Sequence, residues 1–155
     1  MKVGFSSDIG QRQSFEDTHV ILKSFGTHRL VHPFGDSADK SFFAIYDGHG
    51  GKEASEMAAK VLHQILLTEL KKSKDVTFAL EKAFVDTDRQ IENAGIESGT
   101  TAVVAFFEGQ NLIVANAGDS RAVLDRGKVG VKRLSHDHKA DDPDEIKRIE
   151  NLGGF

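Results

Sequence analysis

The sequence predicts an α+β fold in which antiparallel β-sheets, forming a partial β-sandwich, are flanked by α-helices. Three observations indicate this: short apolar strand patterns near the start, two amphipathic helices in the middle, and a run of hairpin-linked strands afterwards. Strands, then helices, then consecutive hairpins are typical of α+β domains. A length of 155 residues is ordinary for one core, so residues 1–155 are treated as a single domain.

The first third of the chain contains three strand candidates. Val3–Ser6, Thr18–Leu22 and the apolar run Phe42–Tyr46 are short and bounded by polar or turn-forming residues. The mixed, proline-containing segment 23–40 predicts a loop. The third strand ends at the glycine-rich turn Asp47–Gly51.

Two helices are expected next, because apolar residues recur with helical spacing. The first stripe lies within Lys52–Leu70 and the second within Val76–Ile91, after a possible N-cap at Asp75. A last helix is predicted from the N-cap Asp142 to Leu152, since proline follows the cap and glycine follows the end.

Between these helices the pattern changes to four strands that we expect to form an antiparallel meander. Turn-forming residues stand between them. The candidates are Thr100–Phe107, Asn111–Ala115, Arg121–Leu124 and Lys128–Leu134.

Composition excludes several classes of function. The chain has no cysteine, which excludes disulfides, thiolate zinc sites and cysteine-dependent phosphatases. A net charge of −4 without a basic block argues against nucleic acid as the main partner. No apolar run approaches the roughly 20 residues that span a bilayer, so no membrane partner is expected. We expect an intracellular protein, in the cytoplasm, with the nucleus as the alternative.

The strongest chemical signal is Asp47-Gly48-His49-Gly50-Gly51. An apolar strand carries a carboxylate directly into a turn whose glycines allow sharp bending and close approach of an ion or ligand. A carboxylate beside exposed carbonyls suits a hard cation. From spacing alone, a tight turn with a solvated aspartate and histidine is an equal alternative.

Three further groups of polar residues carry weaker signals. Glu16-Asp17 precedes a strand, and Arg12 stands four residues before Glu16. Arginine binds phosphate in bidentate fashion, although most arginines are surface residues. Asp119 lies in a hairpin-like turn, where aspartate is common without any function.

Six segments, taken together, resemble the protein phosphatase 2C family of metal-dependent serine/threonine phosphatases. They occur in the family's order over nearly the whole chain, and the Asp-Gly-His-Gly-Gly segment matches in full. The segments are Arg12-Gln13-Ser14-Phe15-Glu16-Asp17, Asp47-Gly48-His49-Gly50-Gly51, Ser98-Gly99-Thr100-Thr101-Ala102, Asn116-Ala117-Gly118-Asp119-Ser120-Arg121, Asp137-His138-Lys139 and Asn151-Leu152-Gly153-Gly154.

The resemblance implies a metal centre built from oxygen ligands. Asp47 would bridge two Mg²⁺ or Mn²⁺ ions, and Glu16 with the Gly48 carbonyl would complete the protein ligands of one ion. Asp17 would hold a metal-bound water, and Asp119 would belong to a third, weaker metal site. Two such cations can activate a shared water and neutralise phosphate charge.

The resemblance also implies how a phosphoprotein substrate is handled. Arg12 would bind the substrate phosphate. His49 would be the general acid that protonates the leaving serine or threonine oxygen, a task suited to a histidine with an ordinary pKa.

The match covers only the amino-terminal part of the family's catalytic domain. Two later aspartates that complete the family's bimetal centre have no counterpart here, because the last aspartate, Asp144, lies at a helix start. We therefore expect weak metal binding and low or no phosphatase activity from this chain alone. The alternatives are an inactive phosphatase-like domain acting in protein binding, or a structural domain with merely solvated acids. Unpaired strand edges and apolar faces would favour self-association.

Overall fold

The computed structural model describes residues 1–25 and 40–154, and it confirms the α+β class. The predicted loop over 23–40 lies mostly outside these described residues. In chain order the elements are β1 (Thr18–Leu22), β2 (Lys40–Tyr46), β3 (Gly48–His49), α1 (Glu53–Lys72), α2 (Val76–Asn93), β4 (Gly99–Thr100), β5 (Ala102–Glu108), β6 (Asn111–Ala117), β7 (Val123–Asp125), a 3₁₀ turn (Gly127–Val129), β8 (Val131–Arg133) and α3 (Pro143–Asn151).

Four strands form the main antiparallel sheet, in the order β1-β2-β5-β6. In its register, Val20 pairs with Ala44, Ala44 with Val104, and Val104 with Ala115. Because side chains alternate across a strand, these aligned residues share one face of the sheet. The two short strands β3 and β4 form a separate pair beside it.

The core lies between this face and the two long helices. Phe42, Tyr46 and Phe106 from the sheet pack with Leu62 and Leu66 from α1, and all five are almost fully buried. Helix α1 contacts β1 and β2, whereas α2 packs on α1 and reaches β6. The apolar stripes of α1 and α2 are therefore buried, as their helical spacing predicts.

The opposite side, here called the second face of the sheet, is apolar but largely open. Ile45 is 50% exposed and Ile21 is 37% exposed. A groove of about 400 Å³ runs along this face, and Val123 of β7 lies at its rim. The helices thus cover one side of the sheet, whereas residues 3–5 and Val123 line the groove on the other side.

Three helix ends follow local signals in the sequence. Asp75 caps α2 by accepting a hydrogen bond from the Phe78 amide at 3.1 Å. Asp142 caps α3 by accepting from the amides of Asp144 and Glu145. Gly153, with φ of 84°, follows the end of α3. Among residues 1–25 and 40–154, every helix is too short or too polar to span a bilayer.

The predicted four-strand meander is wrong in part. The hairpin of β5 and β6 forms, but β7 and β8 make a two-stranded sheet of their own. These two strands are also shorter than predicted, at three residues each. Spacing along the chain indicates hairpins, but it does not specify which hairpins join one sheet.

Two further strand predictions need correction. Val3–Ser6 is not a strand and forms no strand pairing with the other described residues. Instead, the Phe5 ring stacks on the His19 ring, with centroids 3.7 Å apart. The predicted strand Thr100–Phe107 is divided at Thr101, because the Thr101 amide donates to the Asp47 carbonyl at 2.9 Å instead of continuing either ladder.

Candidate active site

The backbone of Asp47 is held at the junction between the main sheet and the β3–β4 pair. Its amide donates to Thr101 Oγ1 at 3.1 Å, and its carbonyl accepts from the Thr101 amide at 2.9 Å. The following residues, Gly48 and His49, pair with Thr100 and Gly99. A half-buried carboxylate is thereby presented from a backbone that is fixed on both sides.

The glycines after Asp47 are required by the shape of this loop. Gly50 and Gly51 have φ values of 70° and 128°, in the region that favours glycine. Gly48 is buried, and a Cβ atom added to it would collide with the carbonyl oxygen of Glu16. The loop can therefore lie directly against the chain just before β1.

Glu16 is bound to this loop through both its side chain and its backbone. Its Oε2 accepts from the Gly51 amide at 3.3 Å, and its Oε1 accepts from the Ser14 hydroxyl at 2.8 Å. Its carbonyl accepts from the Ser55 hydroxyl, at the start of α1, at 2.5 Å. The hydrogen bonds from Ser14 and Gly51 lower the pKa of Glu16, and the nearby charge of Arg12 acts in the same direction.

Burial and three charged residues affect the pKa of Asp47, which follows the end of β2. Burial raises the pKa of Asp47, and the adjacent carboxylate of Asp17 raises it further through its charge and a side-chain hydrogen bond. Arg12 opposes this rise, whereas Asp119 adds to it. Arg12, Asp17 and Asp119 are therefore close enough to Asp47 to affect its ionisation, although all three lie far from it in the sequence.

His49 is exposed at the edge of the same loop. Its ring lies against Gly99, where an added Cβ atom would collide with it. When protonated, His49 lowers the pKa of Glu16, so the imidazole and this carboxylate are also near neighbours. An exposed imidazole thus lies near the carboxylate of Glu16.

Hydrogen bonds and electrostatic effects connect the predicted site residues to Asp47 and Glu16. Arg12, Glu16 and Asp17 come from the chain before β1, Asp47 to His49 from the end of β2, and Asp119 from the turn after β6. Sequence reasoning missed Ser55 and gave no role to Thr101. Thr101 lies within the matched Ser98–Ala102 segment, but a serine in a helical first turn carries no comparable signal.

The donor atoms suit a hard divalent cation. Glu16 and Asp47 offer carboxylate oxygens, and Gly48 offers a carbonyl, which is the chemistry Mg²⁺ and Mn²⁺ prefer. Burial and the nearby charges of Asp17 and Asp119 raise the pKa of Asp47, and a cation bound there would oppose this rise. Within the described ranges, however, no three or more acidic, histidine or cysteine side chains form a group that could hold a metal ion.

Comparison with known proteins gives consistent results. The protein phosphatase 2C family model matches residues 1–155. The probable protein phosphatase 2C 54 of Oryza sativa subsp. japonica is 36% identical, over 100% of this chain and 42% of its own length. Protein phosphatase 2C homolog 1 of Schizosaccharomyces pombe is 39% identical, over 98% of this chain and 44% of its own length. The chain thus spans less than half the length of these curated relatives.

A solved structure shows the same fold. It is described as the structure of a C. elegans sex determining protein and is 26% identical to this chain. The two superpose with a TM-score of 0.70, over 94% of this chain and 36% of the other.

Proposed function

Because the chain belongs to the protein phosphatase 2C family, we propose that it forms the amino-terminal part of a catalytic domain that hydrolyses phosphoserine and phosphothreonine in proteins. One observation carries the proposal: Glu16 is hydrogen-bonded to the loop that begins at Asp47. Two acidic residues that are 31 positions apart are thereby held at one site, as a metal-dependent phosphatase requires.

The proposed ligands for Mg²⁺ or Mn²⁺ are Glu16, Asp47 and the carbonyl of Gly48, with Asp119 near a further, weaker ion. When bound, the cations lower the pKa of a water and neutralise charge on the phosphate. Asp17, beside Asp47, would accept a hydrogen bond from that water and orient it. Every ligand is an oxygen, which supports these metals over zinc.

The remaining two residues act on the substrate. Arg12 has a planar guanidinium that can donate two hydrogen bonds to one phosphate, and the effect of its charge on the pKa of Asp47 supports this role. His49 is exposed at the loop edge and can donate a proton to the departing serine or threonine oxygen. Protonating this oxygen avoids release of an unstable alkoxide.

The rival proposal is a phosphatase-like domain that binds proteins but turns over little or no substrate. It is favoured by the ligand count, because one ion has only Glu16, Asp47 and Gly48 from this chain and the other has only Asp47. Since the chain spans 42% of one relative, the ligands of a complete domain are not all expected here. We therefore propose weak metal binding and low activity for these 155 residues alone.

A Mn²⁺ titration and a phosphopeptide assay test these proposals separately. We expect saturable Mn²⁺ binding by calorimetry that is lost in Asp47→Asn and kept in Asp88→Asn, a matched change on the exposed side of α2. Equal binding by all three proteins, or none by any, would contradict a metal site at Asp47. Rapid Mn²⁺-dependent release of phosphate by the unmodified chain would contradict the proposal of low activity.

We also propose that the second face of the sheet mediates self-association. The exposure of Ile45 and Ile21 supports this, because a contiguous apolar surface on a separate chain tends to be buried. Sedimentation equilibrium should show dimers or larger species, and Ile45→Asp should shift them toward monomer. A clean monomer that binds no hydrophobic dye would refute self-association.

A further inference from the structure

The turn that carries Asp119 is bound on one side by the segment Ser135–Lys139. The His138 amide donates to the Gly118 carbonyl at 2.9 Å, and the Gly118 amide donates to His138 Nδ1 at 3.3 Å. Asn116 Nδ2 donates to the carbonyl of His136 at 2.7 Å. Two segments about twenty residues apart are thus connected along their backbones.

Asp137 lies at the centre of this contact and binds two arginines. It is 6% exposed, although both partners are on the surface. Arg121 approaches in bidentate fashion, with Nε 3.2 Å from Oδ1 and Nη2 2.5 Å from Oδ2. Arg133 Nη2 lies 2.5 Å from Oδ1. These hydrogen bonds lower the pKa of Asp137, which keeps its carboxylate ionised.

The same turn is bound on its other side toward Asp47. Ser120 Oγ lies 2.6 Å from Thr101 Oγ1, which accepts the amide hydrogen of Asp47. Gly118, with φ of 95°, lies against the Thr101 side chain and leaves no room for a Cβ atom. Asp119 therefore lies between one anchor that leads to Asp47 and a second anchor that leads to Asp137.

We propose that Asp137 is a positioning residue that, through Arg121, holds the turn carrying Asp119 beside Asp47. It touches neither metal nor substrate, and its effect on metal binding rests on the proposed function. Arg121 follows Asp119 by two residues, so a change in the direction of its side chain turns the intervening backbone. Bidentate arginine–carboxylate pairs have a strict geometry, which a surface lysine could not supply.

A purely structural ion pair and a positioning residue differ in a double-mutant cycle. Mutation of the residues that hold a metal ligand in place typically changes metal affinity by about 10–100-fold. Introduced alone, Asp137→Asn should therefore weaken Mn²⁺ binding about tenfold. Introduced into a chain that already carries Asp119→Asn, it should cause no further loss. When the unmodified chain binds Mn²⁺, equal losses in both backgrounds, or no loss in either, would overturn the proposal.

Amide hydrogen exchange tests the positioning without any metal. In Asp137→Asn we expect exchange at the hydrogen-bonded amides of Gly118 and His138 to accelerate at least tenfold, with exchange at Thr101 unchanged. Unaltered exchange at Gly118 would refute the positioning role even if metal binding changes. If the turn loosens but the unmodified chain binds no Mn²⁺, the metal proposal fails and the positioning role stands.

A milder substitution tests the same contact in case Asp137→Asn fails to fold. Arg121→Lys keeps the positive charge but removes the bidentate contact. It should therefore accelerate exchange in the same turn, with a smaller change in melting temperature than Asp137→Asn causes. Arg133→Lys is the matched control, because it leaves the Arg121–Asp137 contact intact. An equal acceleration at Gly118 in both variants would contradict the assignment to Arg121.

Discussion

The Ser55 hydroxyl donates a 2.5 Å hydrogen bond to the carbonyl oxygen of Glu16. Ser55 is buried in the first turn of α1, whereas Glu16 immediately precedes the exposed Asp17 and the start of β1. The helix thereby fixes the backbone of a proposed metal ligand. Buried polar groups that lose a partner are costly, so this contact stabilises both the fold and the site.

Ser55→Ala should lower the free energy of unfolding by about 1–3 kcal/mol, because the Glu16 carbonyl would lose its buried donor. Urea denaturation measures the loss. The matched change Ser6→Ala, at an exposed residue, should stay within about 0.5 kcal/mol of the unmodified chain. Equal stability of the two variants would show that the contact contributes nothing.

Gly48→Ala should displace the chain around Glu16, because the new methyl group would collide with the Glu16 carbonyl. Overpacking of this kind typically costs about 1–3 kcal/mol, and Mn²⁺ binding should weaken with it. Gly4→Ala is the control, since no atom lies within 4 Å of the added Cβ. A crystal structure of Gly48→Ala with Glu16 unmoved would contradict the prediction.

Phe106→Ala should be among the most damaging changes to the core. Phe106 is fully buried between the sheet and the helices, and such substitutions cost about 3–5 kcal/mol. Phe78→Ala makes the same change at a side chain that is 52% exposed, so its melting temperature should fall far less. Similar melting temperatures for the two variants would place the core elsewhere.

His63 should make stability depend on pH in the mildly acidic range. Burial lowers its pKa, although the hydrogen bond to the Ala59 carbonyl acts in the opposite direction. The unfolded chain, with an ordinary histidine pKa of about 6.5, then binds the proton more readily than the folded chain. The contribution of His63 to the free energy of unfolding is complete above the pKa of the unfolded state. It is lost as pH falls through the lower pKa of the folded state.

Urea denaturation at several values between pH 5 and pH 7 checks this prediction. His63→Gln cannot titrate, so its stability should change less across this range. A slope that survives in His63→Gln would assign the pH dependence to other groups.

Local signals predicted several elements well. Strand β1 has the predicted bounds, Thr18–Leu22, and α2 begins after its predicted cap at Asp75. The N-cap at Asp142 is also confirmed. Capping and helical periodicity depend on residues within a few positions, so the sequence carries them directly.

Pairing between distant segments was predicted less well. Nothing local shows that Thr101 leaves the strand to bind Asp47, or that β7 and β8 form a sheet apart from β6. The Val3–Ser6 pattern likewise suits a strand, yet a strand also needs a partner edge. Such partners are selected by packing over the whole domain, which residue patterns alone do not contain.

The sequence by itself determined the family, the fold class and the set of candidate site residues, because short motifs preserve the chemistry of each segment. Only the tertiary structure decided how these segments are held together: Ser55 on Glu16, Thr101 on Asp47, and Asp137 on the turn of Asp119. Each of these contacts joins residues 16 to 54 positions apart. Their geometry arises from burial of the common core, and no single segment encodes it.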